Sequence, residues 1–176
     1  YEDGREEVVL DKSNVYTLDG GVLAAILFSK NLGQVFTRGI DMLAVGTGAS
    51  GSSASPDIAD YRQRKLNTPL FRKGFTSRVY RNADGSLASV PTNIVDFTTT
   101  FESADAVGAL TEMGLMSTLS GVSGSSAEFN QIAEVFPTRT LTTDITESDI
   151  LVNYLTFPVI NKPSGAILAI TWRLTF

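Results

Sequence analysis

The sequence predicts a mainly β fold: an antiparallel β-sandwich or barrel, jelly-roll-like, with one early α-helix. Three observations carry this. Apolar and polar residues alternate with a period of two. The clearest case is the last stretch, where Leu168, Ile170, Trp172, Leu174 and Phe176 fall on one side and Ala169, Thr171, Arg173 and Thr175 on the other. Gly, Pro, Ser and Asn punctuate the chain roughly every ten residues, as in sandwiches and barrels. No region alternates β and α regularly, which argues against a doubly wound sheet. With 43% hydrophobic and 19% charged residues in 176, the chain is globular, and its length suits one domain. Folding buries on the order of 19,000 Å² by area scaling, enough for one core.

Taken in order, residues 1–19 form an N-terminal arm and 20–176 a single β-rich domain. The arm carries Glu2, Asp3, Glu6 and Glu7 near Arg5, then Val8-Val9-Leu10. Residues 1–14 read as a mobile or partner-ordered segment leading into a short strand. Residues 22–32 (VLAAILFSKNL) favour a helix that stops at Gly33, with a wide apolar face to bury. Residues 40–45 are a strand, followed by a Gly/Ser-rich loop at 46–56. Residues 57–65 are ambiguous, with a helical turn at Pro56-Asp57 as one option. Residues 71–81 and 94–101 read as two strands of one hairpin turning at Asn82-Ala83-Asp84-Gly85. Residues 106–118 are a strand, with Gly108 and Gly114 as bulges or close approaches. Residues 120–126 are a second loop, and 129–136 and 138–142 weak strands. The last two strands, over 151–176, turn at Asn161-Lys162-Pro163-Ser164-Gly165. A strand as apolar as the terminal one is expected inside a sheet, because an exposed edge of that kind invites aggregation. In total six to eight strands and one helix are expected.

Composition narrows function. There is no Cys and no His. Disulfides, thiolate nucleophiles, thiolate-held metals and the commonest general base are therefore unavailable. The expectation is no enzyme, no cofactor and no metal, although carboxylate or Ser/Lys chemistry stays possible. Net charge is −5, which argues against a nucleic-acid binder. The longest apolar run, residues 22–28, is too short to span a bilayer. No signal peptide is apparent.

Three motifs invite chemistry. Residues 46–51 (GTGASG) match G-x-G-x-x-G after a strand. A dinucleotide loop needs a helix to open at once, and Ser52-Ser53-Ala54-Ser55-Pro56 follows instead, so a sheet-end loop is the better reading. Residues 61–83 hold Arg62, Arg64, Lys65, Arg72, Lys73, Arg78 and Arg81 with no acid until Asp84. Interleaved Tyr61, Phe71, Phe75 and Tyr80 suit base stacking. Alternatively the stretch contacts an acidic neighbour such as residues 1–7 of another copy, or is a solvated strand face. Asp144, Glu147 and Asp149, and Asp57 with Asp60, match no calcium-loop spacing and read as solvated turn charges. Trp172, the only tryptophan, reads as core.

Three stretches, in order, resemble a group of tailed-bacteriophage virion proteins of tail-fibre-like, minor structural or capsid-accessory type. They are residues 40–48 (IDMLAVGTG) leading to Leu70-Phe71-Arg72-Lys73; residues 95–101 (VDFTTTF) leading to 106–115 (AVGALTEMGL); and 156–162 (TFPVINK) leading to 170–176 (ITWRLTF). The resemblance covers about residues 20–176. It implies a β-rich, non-enzymatic assembly subunit of the virion, assembled in the host cytoplasm, that contacts other copies and capsid or tail proteins. It carries over no catalytic residues. The expected contacts are the acidic arm residues Glu2, Asp3, Glu6 and Glu7, the 46–56 loop, and the seven basic residues of 61–81. The rival reading is a receptor- or glycan-binding β-sandwich module.

Overall fold

A computed structural model describes residues 10–11, 14–29, 39–52, 55–118, 125–127, 129–131 and 148–176. The elements are β1 (Val15–Tyr16), α1 (Leu18–Ser29), β2 (Met42–Gly46), β3 (Pro69–Gly74), β4 (Ser77–Tyr80), β5 (Ile94–Phe101), β6 (Gly108–Ser117), β7 (Ser125–Ser126), β8 (Ile150–Lys162) and β9 (Leu168–Thr175). They form two antiparallel sheets, ordered β1-β8-β6-β2-β3-β7 and β4-β5-β9. One core joins the two. Leu43 and Val45 of β2, Met113 and Leu115 of β6, and Leu155 and Phe157 of β8 meet Val95, Phe97 and Phe101 of β5 and Trp172 and Leu174 of β9. The fold is thus a mainly β sandwich with one helix, and Trp172 is core, 4% exposed.

Three short connections carry the chain between sheets. Phe75 and Thr76 separate β3 from β4, so residues 71–81 are two strands in different sheets. The turn before β6 places Ala106 at φ 52, and the turn before β9 places Gly165 at φ 94. The expected hairpin over 71–101 survives only as β4 with β5, in register from Ser77↔Thr98 to Tyr80↔Val95. The last two strands are not a hairpin. β8 lies between β1 and β6, whereas β9 pairs with β5 and, among the described residues, stands at the edge of the small sheet. The expectation that the terminal strand is interior is therefore corrected for the single chain. Alternation fixes which face meets the core, and a strand has the same inward face whether it turns back on its neighbour or crosses to the facing sheet.

The helix begins four residues earlier than expected. Thr17 Oγ1 accepts the Gly20 N–H at 3.0 Å, an N-cap that starts the helix at Leu18. The same hydroxyl donates to Leu151 O at 2.5 Å, fastening the helix start to β8. A Cβ at Gly20 would run into Val152 O, so glycine is what permits this approach. Among the described side chains of α1, Leu23 and Val22 pack with Ile150 and Val152, while Leu18 and Leu27 are 45% and 37% exposed.

No helical turn forms after Pro56. Residues 55–67 run as an irregular strap across the outer face of the large sheet, where Leu66 and Ala59 pack with Ala44, Met116, Leu151 and Tyr154. Thr156 Oγ1 donates to Asp57 O at 2.6 Å and ties the strap to β8. The expected strand at 138–142, most of that at 129–136, and the C-terminal part of the helix lie outside the described residues; Phe129, Asn130 and Gln131 are described and form no strand.

Candidate interaction surfaces

The seven basic residues do not form one patch. Arg64 is buried against Asp19 of α1, Nε to Oδ2 at 2.5 Å. Arg72 is buried against Asp149, Nη1 to Oδ2 at 2.7 Å, with its guanidinium 5.3 Å from the Phe129 ring centre. Lys73 pairs with Asp105 at 2.6 Å, and Arg81 with Asp96 at 2.8 Å. Arg62 pairs with Asp60 at 2.6 Å on the surface. Lys65 is half-buried and its carbonyl accepts the Gln63 side-chain amide at 2.7 Å. Arg78 is exposed and lies over Phe75, 4.8 Å from the ring centre. Sequence showed a cationic run without acids because, apart from Asp60 just before it, the partner acids come from the helix, strands and turns far off in sequence. Glu2, Asp3, Glu6 and Glu7, like Asp144 and Glu147, lie outside the described residues. Asp149, expected as a solvated turn charge, is instead 2% exposed and also accepts the Asn130 N–H at 3.0 Å.

Two buried acids stand out beyond those expected. Glu112, on the outer face of β6, is fully buried. Its Oε1 accepts N–H groups of Thr68 at 2.8 Å and Gly48 at 3.1 Å; its Oε2 accepts Asn67 N–H at 3.0 Å and the Tyr154 hydroxyl at 2.8 Å. The Gly-rich 46–51 loop thus directs an amide at this carboxyl, and no helix opens after it. A Cβ at Gly48 would collide with Thr68, so the loop closes over Glu112 only with glycine there. Burial, reinforced by Glu112, pushes the Tyr154 phenol far above its usual value. Asp96, on β5, is held by Arg173 Nε at 2.7 Å as well as by Arg81. Arg173 first, and Arg81 second, hold its carboxyl below the ordinary carboxylate range against the effect of burial. Both acids had a sequence signal: a single charge inside an apolar strand (LTEMGL, IVDFTTTF) needs partners.

The remaining polar cluster sits at the β5–β6 turn. Lys162 is 3% exposed and donates to Glu102 O at 2.8 Å, beside the Lys73–Asp105 pair. Burial lowers the Lys162 pKa, and the Lys73 hydrogen bond lowers that of Asp105. Among the described residues no three His, Cys, Asp or Glu side chains converge to hold a metal. No described helix is long and apolar enough to cross a membrane.

Two grooves lie beside the small sheet. One groove, about 260 Å³, is lined almost wholly by apolar groups including Tyr16, Leu23, Leu27, Ile40, Phe97 and Phe176. A second, about 460 Å³, has Arg78, Tyr80 and Asn93 beside Val95, Phe97 and Phe176. Phe97 and Phe176 line both grooves. Phe176 is 65% exposed. No protein-family model matches the chain, and no curated protein is significantly similar to it.

Proposed function

We propose that this chain is a non-enzymatic structural subunit of a tailed-phage virion, which binds other copies of itself and a capsid or tail partner. The observation that supports it best is the exposed apolar surface at the smaller groove. Tyr16, Leu27 and Phe176 remain exposed along its largely apolar lining, and Leu18 at the start of α1 is exposed as well. Apolar surface gathered in one place favours a partner over water. Symmetric repetition then multiplies a modest contact. The buried charges support the same reading, since Arg64 and Arg72 are paired with Asp19 and Asp149, and Glu112 is hydrogen-bonded, inside the fold rather than arrayed in a cleft. The likeness of residues 20–176 to phage virion proteins supplies the setting.

Immunogold electron microscopy on particles from the source, with antibody to this chain, tests the proposal. Label over heads assigns capsid decoration; label at a vertex or along the tail assigns a neck, tail or fibre part. Intact and gently opened particles without label overturn it. The larger groove favours the second reading, a receptor- or glycan-binding module, because an exposed Tyr80 beside Arg78 and Asn93 suits a sugar ring. Glycan-array binding that Tyr80→Ala abolishes would move that reading to the front.

A further inference from the structure

The two edges of the small sheet differ. At β4 the chain covers its own edge: Ala88 N–H donates to Tyr80 O at 2.9 Å, and Arg81 bridges Leu87. At β9 nothing does so among the described residues. The ladder fixes what that edge presents. Phe176 N–H donates to Asn93 O at 2.9 Å, and the register runs from Ile94↔Thr175 to Phe101↔Leu168. Bonded and non-bonded pairs alternate in an antiparallel ladder. Leu168, Ile170, Trp172 and Leu174 therefore turn their backbone groups to β5. Ala169, Thr171, Arg173 and Thr175 turn theirs outward.

The strand carries no proline and no lysine to blunt this edge, and its one charge, Arg173, is held by Asp96. Its sequence is also symmetric in character about Trp172: Leu168 mirrors Phe176, Ala169 mirrors Thr175, and Ile170 mirrors Leu174.

We propose that a second copy of this chain pairs with β9 along this edge, β9 to β9 and antiparallel, joining the two small sheets into one. A twofold axis normal to the sheet preserves its faces, so inward residues meet inward residues. With Trp172 on the axis, Phe176 meets Leu168 and Leu174 meets Ile170 on the apolar face. On the other face Thr175 meets Ala169, and Arg173 meets Thr171 rather than its own twin. The exposed Phe176 thereby gains an apolar neighbour, and the terminal strand becomes interior, as its composition expects. The inference rests on the self-association part of the proposed function and gives it a contact.

The test uses the full chain in sedimentation equilibrium over a range of concentrations. The native chain is expected to dimerise. Thr171→Pro removes one outward N–H from each copy and none from the β5 ladder, so it should keep the fold by circular dichroism. It should also weaken the dimer roughly tenfold or more. Should that variant fail to fold, Ala169→Lys makes the same test with a charge at the edge. The chain has no cysteine, so the double variant A169C/T175C reports register. Mild oxidation should give a covalent dimer through pairs about 5.5 Å apart between Cα atoms. A monomeric native chain, a dimer that the edge variants leave unchanged, or a double variant that does not cross-link overturns the inference. Particle label with a monomeric chain sinks the edge pairing alone. A β9 dimer without particle label sinks the virion reading alone.

Discussion

The outer faces of the two sheets solve different problems. On the large sheet the outer face is covered. The 55–67 strap and residues 129–131 lie over Ala44, Arg72, Glu112, Met116 and Tyr154. Every charge trapped there needs an internal partner: Arg72 has Asp149, and Glu112 has three amides and a phenol. On the small sheet nothing among the described residues covers the outer face. Thr98, Thr171, Ala169 and Arg173 face solvent or nearly so, and only Asp96 is buried, beneath two arginine side chains. The difference teaches where this fold keeps its stability and where it keeps its free surface. Covered charge holds a loop in place, and uncovered strand is left for contact.

Variants can break that contrast, and the largest effect is expected at Glu112. Glu112→Ala strands the buried Tyr154 hydroxyl and three partly buried amides at once, a loss on the order of 3–5 kcal/mol, a large share of a domain's stability. Denaturant unfolding should show little or no cooperative transition; a midpoint near that of the native chain would refute the role given to this carboxyl. Next, Arg72→Met removes the buried counter-charge of Asp149 and should cost about 3–5 kcal/mol. The double variant R72M/D149L should recover most of it in a double-mutant cycle, since the loss comes from the orphaned charge.

A smaller, pH-dependent effect is expected on the bare face. The Asp96 carboxyl is held below its unfolded value, first by Arg173 and then by Arg81. A depressed carboxyl contributes stability that is present above the unfolded pKa and lost as pH falls through the folded one. The native chain should therefore lose stability below about pH 4, and Asp96→Asn should be less stable at neutral pH but flatter in acid. Parallel stability curves for the two proteins would show that Asp96 is not the titrating group. The smallest effect belongs to the Thr98–Thr171 pair, whose hydroxyls lie 3.1 Å apart in solvent. Thr98→Val should change the thermal midpoint little, within about 0.5 kcal/mol. A loss of several times that size would mean this face is covered after all.

Much of the architecture was legible in the strands themselves. Residues 94–101 and 168–175 show their inward faces by alternation, and Phe97, Trp172 and Leu174 meet in the core as that pattern requires; residues 42–46 and 108–117 read as strands, but burial on both faces hides which side meets the core. Less legible was β8. It is buried on both faces over residues 150–157, because α1, the strap and the shared core approach it together. A doubly covered strand loses its alternation. The basic stretch was visible as composition but not as geometry. Its counter-charges, Asp19, Asp149, Asp105 and Asp96, lie 15 to 77 residues away in sequence.

By itself, the sequence determined a β-rich chain with one early helix, without the side chains that most acid–base and metal chemistry uses. Those properties follow from local periodicity and residue inventory, and they need no partner strand to be read. Tertiary structure alone decided that consecutive strands cross between sheets, that Glu112 organises a glycine loop, and that β9 ends as an edge. Each of these depends on which distant segment comes to lie alongside, and a strand's own pattern records its burial but not its neighbour.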